Sequence, residues 1–171
     1  MTGPEIENCL QSLIILVDTR EQPSERARKR YQTFRCPWRR QKLDYGDYSA
    51  EITLPDGSVV RIRAAVERKM ALEELSTCLT HERKRFKAEF ERAQADKASM
   101  YLLVENATWE NLINGKYKTK FNQKAFLGSI TAWIARYSLK PIFCKAETSG
   151  KLISEILYRE AKQRLEAGEY G

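Results

Sequence analysis

The sequence predicts a mixed α/β fold built on a central sheet, and three observations predict it. Two continuous apolar runs of strand length, Leu13–Val17 and Met100–Val104, stop abruptly at charged residues, as strands buried on both faces do. A strong turn signal, Pro55-Asp56-Gly57, lies between two further strand-like stretches. Helical spacing then governs the Phe126–Tyr137 and Leu152–Leu165 stretches. With 171 residues, 42% of them hydrophobic, and no repeat, linker or low-complexity stretch, the chain is read as one domain spanning 1–171.

The elements follow in order. Leu13–Val17 is a buried strand delivering Asp18-Thr19-Arg20-Glu21 at its end. Ser24 is placed to cap a short basic helix running to about Phe34. Strands are expected at Trp38–Leu43 and Tyr48–Leu54, and Val59–Val66 is expected to return from the Pro55-Asp56-Gly57 turn as one hairpin arm. Helices follow over Leu72–Leu79 and from His81 to about Ala95, then the Met100–Val104 strand ending on Glu105. Phe126, Ile130, Trp133, Ile134 and Tyr137 form a helical stripe, and a short strand lies near Pro141-Ile142-Phe143. Leu152, Ile153, Ile156, Leu157, Ala161 and Leu165 line a last helix with Gly168 as its stop.

Thirty Lys and Arg against 23 Asp and Glu leave a net charge of +7, which favours a polyanionic partner. The excess is concentrated: nine basic residues and only two acids lie between Arg20 and Lys42, with Tyr31, Phe34 and Trp38 interleaved. Those aromatics either stack on bases or pack inward. Lys116, Lys118, Lys120 and Lys124 form a second cluster, either a contact surface or a solvated loop. Four scattered cysteines without a paired spacing, and no secretory leader, point to reduced thiols and a cytoplasmic location. His81 is the one histidine, which excludes a His-rich metal site. No apolar run is long enough to span a bilayer, so no membrane partner is expected.

The stretch Val66-Glu67-Arg68-Lys69-Met70 carries the chemistry. Alternation on a strand sends Glu67 and Lys69 to one face and Arg68 to the other. Counting back through the hairpin sets Asp47 opposite residues 65–67, so Asp47 and Glu67 converge, with Asp18 as a third carboxylate if its strand is adjacent. Carboxylates alone, with no His or Cys beside them in sequence, suit a hard cation such as Mg²⁺ or Mn²⁺. Lys69 beside them suits an attacking water or a charged phosphate. The plainer alternative is an exposed Glu67–Lys69 ion pair and an ordinary turn aspartate.

Three motifs, Val-Asp-Thr-Arg-Glu at 17–21, Gly-Asp-Tyr at 46–48 and Val-Glu-Arg-Lys-Met-Ala-Leu-Glu-Glu-Leu at 66–75, resemble the nuclease domain of the XPF family of structure-specific DNA endonucleases. The family pattern runs Gly-Asp, a gap, Glu-Arg-Lys, three residues and Asp. This chain has Gly46-Asp47, Glu67-Arg68-Lys69 and then Glu73, which keeps the charge and lengthens the reach. The resemblance covers about 13–105, leaving a helical part over 106–171. It implies a restriction-endonuclease-like α/β fold of the PD-(D/E)XK superfamily, a central mixed β-sheet flanked by helices. It further implies Mg²⁺ or Mn²⁺ held by Asp47 and Glu67, an active site completed by Asp18, Glu21 and Lys69, and Arg20 and Arg68 close by.

Glu82-Arg83-Lys84-Arg85-Phe86 stands where the family has a Gly-Arg-Phe-like helix start, so Arg83 and Arg85 are assigned to phosphates, with a solvated helix face as the alternative. No Gly-apolar-Gly hairpin pair follows Val104, which resembles a stand-alone nuclease domain of the phage or bacterial kind. The expected partner is DNA. The Phe126–Tyr137 stripe serves either the core or a homodimer. Ser149-Gly150-Lys151 lacks the other glycine of a phosphate-binding loop, so no nucleotide cofactor is expected. The expected function is a metal-dependent DNA endonuclease selective for branched, flap or fork DNA. The alternatives are a non-cleaving DNA-binding or scaffold subunit and an interaction protein with an acidic partner.

Overall fold

The computed structural model describes residues 1–170. Its backbone gathers into two compact units, one of Met1–Leu43, Asp47–Ala65 and Gly150 onward, the other of Asp44–Gly46 and Val66–Ser149. Among the described residues seven strands and seven helices form. Parallel and antiparallel pairs occur together, so the expected mixed α/β class is the one observed.

In the first unit, α1 (Gly3–Gln11) opens with a capping box: the Thr2 hydroxyl accepts the Glu5 N–H while the Glu5 carboxylate takes the Thr2 N–H at 2.6 Å, and a proline sits in the first turn. Strand β1 (Ile14–Val17) pairs parallel with β2 (Trp38–Arg40) and antiparallel with β3 (Tyr48–Thr53). β2 is shorter than expected because the Leu43 N–H turns to the Asp18 carboxylate at 2.7 Å instead of a strand partner. Ser24 caps α2 (Glu25–Tyr31) as expected, accepting from Ala27 N.

The turn at Pro55-Asp56-Gly57 is made with Gly57 at φ +84°, in the left-handed region that favours glycine. It joins β3 to β4 (Val59–Arg61). The expected single return arm divides there, and β5 (Ala64–Lys69) begins three residues later. The Arg63 N–H is bonded by the Tyr170 hydroxyl at 3.0 Å, which takes it out of the ladder.

The second unit holds the last four residues of β5, then β6 (Ser99–Glu105), which pairs parallel with β7 (Lys140–Cys144). Around them are α3 (Leu72–Leu79), α4 (Arg83–Ala95), α5 (Trp109–Ile113) and α6 (Gln123–Tyr137). Helix α4 starts two residues later than its expected beginning at His81, since Thr80 leaves helical backbone at ψ −85°. Phe86, Phe90, Trp133 and Tyr137 pack ring against ring at 4.9 to 5.7 Å. Each such pair adds about 0.5–1.5 kcal/mol beyond its burial. The Phe126–Tyr137 stripe is therefore core: Phe126, Ile130, Trp133 and Tyr137 are all buried.

Helix α7 (Ala146–Glu166) is followed by Gly168 at φ +75°, whose N–H returns to the Leu165 carbonyl, the expected stop. Gly150 lies where a methyl group would stand 2.4 Å from the Arg30 carbonyl oxygen and 2.0 Å from the Thr33 hydroxyl. That close approach of α7 to the end of α2 is what the glycine of Ser149-Gly150-Lys151 permits. No described helix is long and apolar enough to cross a membrane.

Candidate active site

The candidate residues fall into two constellations, one in each unit. In the first, β1 ends by placing Asp18 in full burial. Its N–H donates to the Asp47 carbonyl at 2.8 Å, so the two residues are neighbours through their backbones. One Asp18 oxygen accepts the Arg20 N–H and Nε, both at 2.7 Å; the other accepts Arg20 Nη2 at 3.2 Å and the Leu43 N–H at 2.7 Å. Burial alone would raise the Asp18 pKa, but these donors hold it below the ordinary aspartate value. Both oxygens are thus engaged in holding Arg20 and the β2 exit.

Glu21 is nearly as enclosed. Its carboxylate accepts Arg30 Nη1 at 3.2 Å and the Tyr48 hydroxyl at 3.1 Å, and Arg30 Nη1 also reaches that hydroxyl at 2.9 Å. Asp47 is half-buried and follows Gly46, whose φ of +71° turns the chain into β3. Tyr48, the first residue of β3, is fully buried.

In the second constellation Glu67 and Lys69, two apart on β5, meet at 2.5 Å between Nζ and Oε1, and both are buried, at 4% and 7% exposure. The exposed ion pair of the plainer reading is thereby corrected: the pair exists and it is internal. Burial raises the Glu67 pKa, opposed by Lys69 and reinforced by the Glu89 carboxylate. Lys69 Nζ also stands 5.1 Å over the Phe86 ring. Burial pushes the nearby Cys78 thiol up to about 11, against the pull of Lys69, so it stays protonated and inert at neutral pH. Arg68 takes the opposite direction, as alternation requires, and bonds Glu105 at the end of β6 at 3.2 Å.

Several partners were not foreseen: Arg30 and Tyr48 on Glu21, Glu105 on Arg68, and Glu89 beside Glu67. Glu89 had a legible signal. It sits inside the buried α4 face of Phe86, Phe90 and Ala93, at the spacing where a further apolar residue belongs. The remaining arginines assigned to phosphates lie on α4. Arg83 bonds the Leu79 carbonyl and lies 6.0 Å from the Trp133 ring, and Arg85 is exposed and paired with Glu82 at 2.6 Å.

The basic stretch of 20–42 is largely committed internally. Arg20 pairs with Asp18, Lys29 with Glu25, Arg30 with Glu21, Arg35 with Glu155 and Arg39 with Glu51, while Arg40 bonds the Thr19 and Glu21 carbonyls. Tyr31 is buried and packs at a tilt against Phe34 and Trp38; of the three aromatics only Trp38 is strongly exposed, at 41%. All four cysteines are free thiols.

Among the described residues no group of three or more His, Cys, Asp or Glu side chains is arranged to hold a metal ion. The donor chemistry at the Gly-Asp and Glu-Arg-Lys positions is nevertheless all carboxylate. It fits a hard divalent cation that takes few protein oxygens and completes its shell with water and phosphate oxygens. It suits zinc or copper less well, since those ions favour imidazole or thiolate ligands and neither motif supplies one.

With this geometry in place, comparison with known proteins gives the class. The ERCC4 domain family matches residues 17–156, and the chain belongs to that family. Among solved structures it is similar to XPF from Aeropyrum pernix, with a TM-score of 0.63 and 16% identity, over 92% of this chain and 69% of that one. It is also similar to XPF from Aeropyrum pernix in complex with DNA, with a TM-score of 0.61 and 18% identity, over 88% of this chain and 65% of that one. The fold is that of the XPF nuclease domain, as the three-motif resemblance implied. No curated protein matches the chain.

Proposed function

We propose that the chain is a divalent-metal-dependent DNA endonuclease that hydrolyses phosphodiester bonds. The observation that carries this reading is the buried Glu67–Lys69 pair at the end of β5 in a chain of the ERCC4 domain family. Keeping two charges out of water costs several kcal/mol per ion, and a purely structural site is often better served by apolar residues. A pair kept there is kept for chemistry.

Mg²⁺ or Mn²⁺ would be held by Asp47 and Glu67, and when bound would supply an acidified water and offset phosphate charge. The remaining work falls to the chain. Lys69 balances Glu67 in the resting state and, as a compact ammonium, is suited to a phosphate oxygen in the transition state. Asp18, loaded with four donors, holds Arg20 and the end of β2 in place; any ligand role for it requires Arg20 to release an oxygen. Glu21 fixes Arg30 and Tyr48 behind Asp47. Arg20, Arg68, Arg83 and Arg85 are assigned to the DNA backbone. The similarity to an XPF bound to DNA supports DNA as the substrate, and selectivity for flap or fork structures is part of this reading.

The test is cleavage of labelled duplex, 3′-flap and fork DNAs with Mg²⁺ or Mn²⁺, using the chain alongside Lys69→Ala and Asp47→Asn. Metal-dependent cutting is expected, lowered by about 10²–10³-fold in each variant. DNA binding with no cutting in either metal would overturn the proposal in favour of a non-cleaving subunit.

A further inference from the structure

The lysines of 116–124 are displayed by an ordered platform. Tyr117, Thr119 and Phe121 turn inward and are half-buried, while Lys116, Lys118, Lys120 and Lys124 are exposed. The Tyr117 and Phe121 rings pack on Phe126 at 5.2 and 5.0 Å. The Tyr117 hydroxyl donates to the Phe121 carbonyl, and the Thr119 hydroxyl lies 3.3 Å from that of Ser76 on α3. Glu73, in the first turn of α3, accepts the Lys118 backbone N–H at 2.7 Å.

None of the four ammonium groups takes part in an ion pair among the described residues. The carboxylate that touches the segment, Glu73, spends that oxygen on the backbone. Four exposed like charges close in sequence and without ion-pair partners repel one another in the free chain, and a polyanion relieves that repulsion by binding. A group of exposed cations suits a repeated charge such as a nucleic-acid backbone, where each neutralised phosphate releases counterions.

We propose that Lys116, Lys118, Lys120 and Lys124 form a nucleic-acid backbone contact surface, and that Glu73 is the positioning residue that ties it to α3, directly after the Glu67-Arg68-Lys69 strand. This assigns the last acidic position of the family pattern to loop placement. The identification of the polyanion as DNA rests on the nuclease reading above.

The test measures binding of a short fluorescein-labelled DNA duplex in EDTA across a salt series, by anisotropy, for the full chain and for a variant with all four lysines changed to Gln. Circular dichroism checks folding. Loss of four phosphate contacts should make the slope of log affinity against log salt shallower by about 3.6 and weaken binding at low salt at least tenfold. An unchanged slope overturns the surface, whatever the affinity does, and would leave the lysines to an acidic protein or to solvent. Glu73→Ala should weaken binding several-fold, whereas Glu73→Gln, which keeps an acceptor oxygen for Lys118 N–H, should restore both binding and Mg²⁺-dependent cutting. Cutting lost in Glu73→Gln with binding intact places the carboxylate in the chemistry and overturns the positioning role.

The two readings fail separately. A wild-type chain that binds through the lysines but cuts in no metal loses the nuclease function and keeps this surface. One that cuts while the lysine variant retains the wild-type slope loses the surface and keeps the nuclease. Absence of any binding by the wild-type chain overturns both.

Discussion

Residues 20–42 carry nine basic side chains and residues 116–124 carry four, yet the smaller group presents the more available charge. In the first region Arg20, Lys29, Arg30, Arg35 and Arg39 each have a carboxylate partner and Arg40 is spent on backbone carbonyls. In the second, Tyr117, Thr119 and Phe121 pack inward while the lysines stay exposed, and the one carboxylate bonded to the segment, Glu73, takes a backbone N–H and not an ammonium. Local charge density in a sequence therefore measures how many cations exist, whereas partner binding depends on how many the fold has left unneutralised.

If this contrast is right, breaking the first region should cost stability. The largest effect is expected at Arg30→Ala. It strands the Glu21 carboxylate, which is only about a tenth exposed, and should lower unfolding free energy by about 3–5 kcal/mol in urea titration. A negligible loss would mean that the pair is solvated and that Arg30 is available to a ligand after all. Gly150→Ala, next in size, drives a methyl into the Arg30 carbonyl at the α2 terminus and should cost about 1–3 kcal/mol by the same measurement.

Asp18 sharpens the comparison through pH. Its folded pKa lies below the unfolded aspartate value of 3.8, so its carboxylate stabilises the fold above that pH, and this contribution is lost as pH falls through the lower folded value. Acid unfolding of the wild-type chain should therefore show a stability slope in that window that Asp18→Asn lacks. The smallest effects are expected on the surface. Arg39→Ala, whose bidentate bonds to Glu51 are solvent-exposed on the arginine side, should cost under about 1 kcal/mol. Changing the four lysines of 116–124 to Gln should leave stability within about 0.5 kcal/mol, against the large change expected in DNA binding.

Legibility followed the physics of each feature. The β1 and β6 runs were readable because a strand buried on both faces needs uninterrupted apolar residues, and Ser24 and Gly168 because capping is local chemistry. Helix α1 was also written locally, in the Thr2–Glu5 capping box, but its mixed composition hid it from a search for apolar periodicity. The short α5 gave too few turns to show a period. The division of the Val59–Val66 arm could not be read at all, because its cause is the Tyr170 hydroxyl, more than a hundred residues away.

The same division runs through the candidate site. Residue identity and two-residue periodicity were enough for the ERCC4 domain membership, the alternation that pairs Glu67 with Lys69 and sends Arg68 elsewhere, and the carboxylate donors at the two motif positions. Packing between distant residues set the rest: Glu67 and Lys69 are buried, Asp18 and Glu21 are already loaded with donors, Glu89 adds a second carboxylate near Glu67, and Glu73 bonds the backbone of the lysine segment. Those outcomes depend on which distant groups desolvate or neutralise a charge, and desolvation is a property of the packed fold that no local pattern encodes.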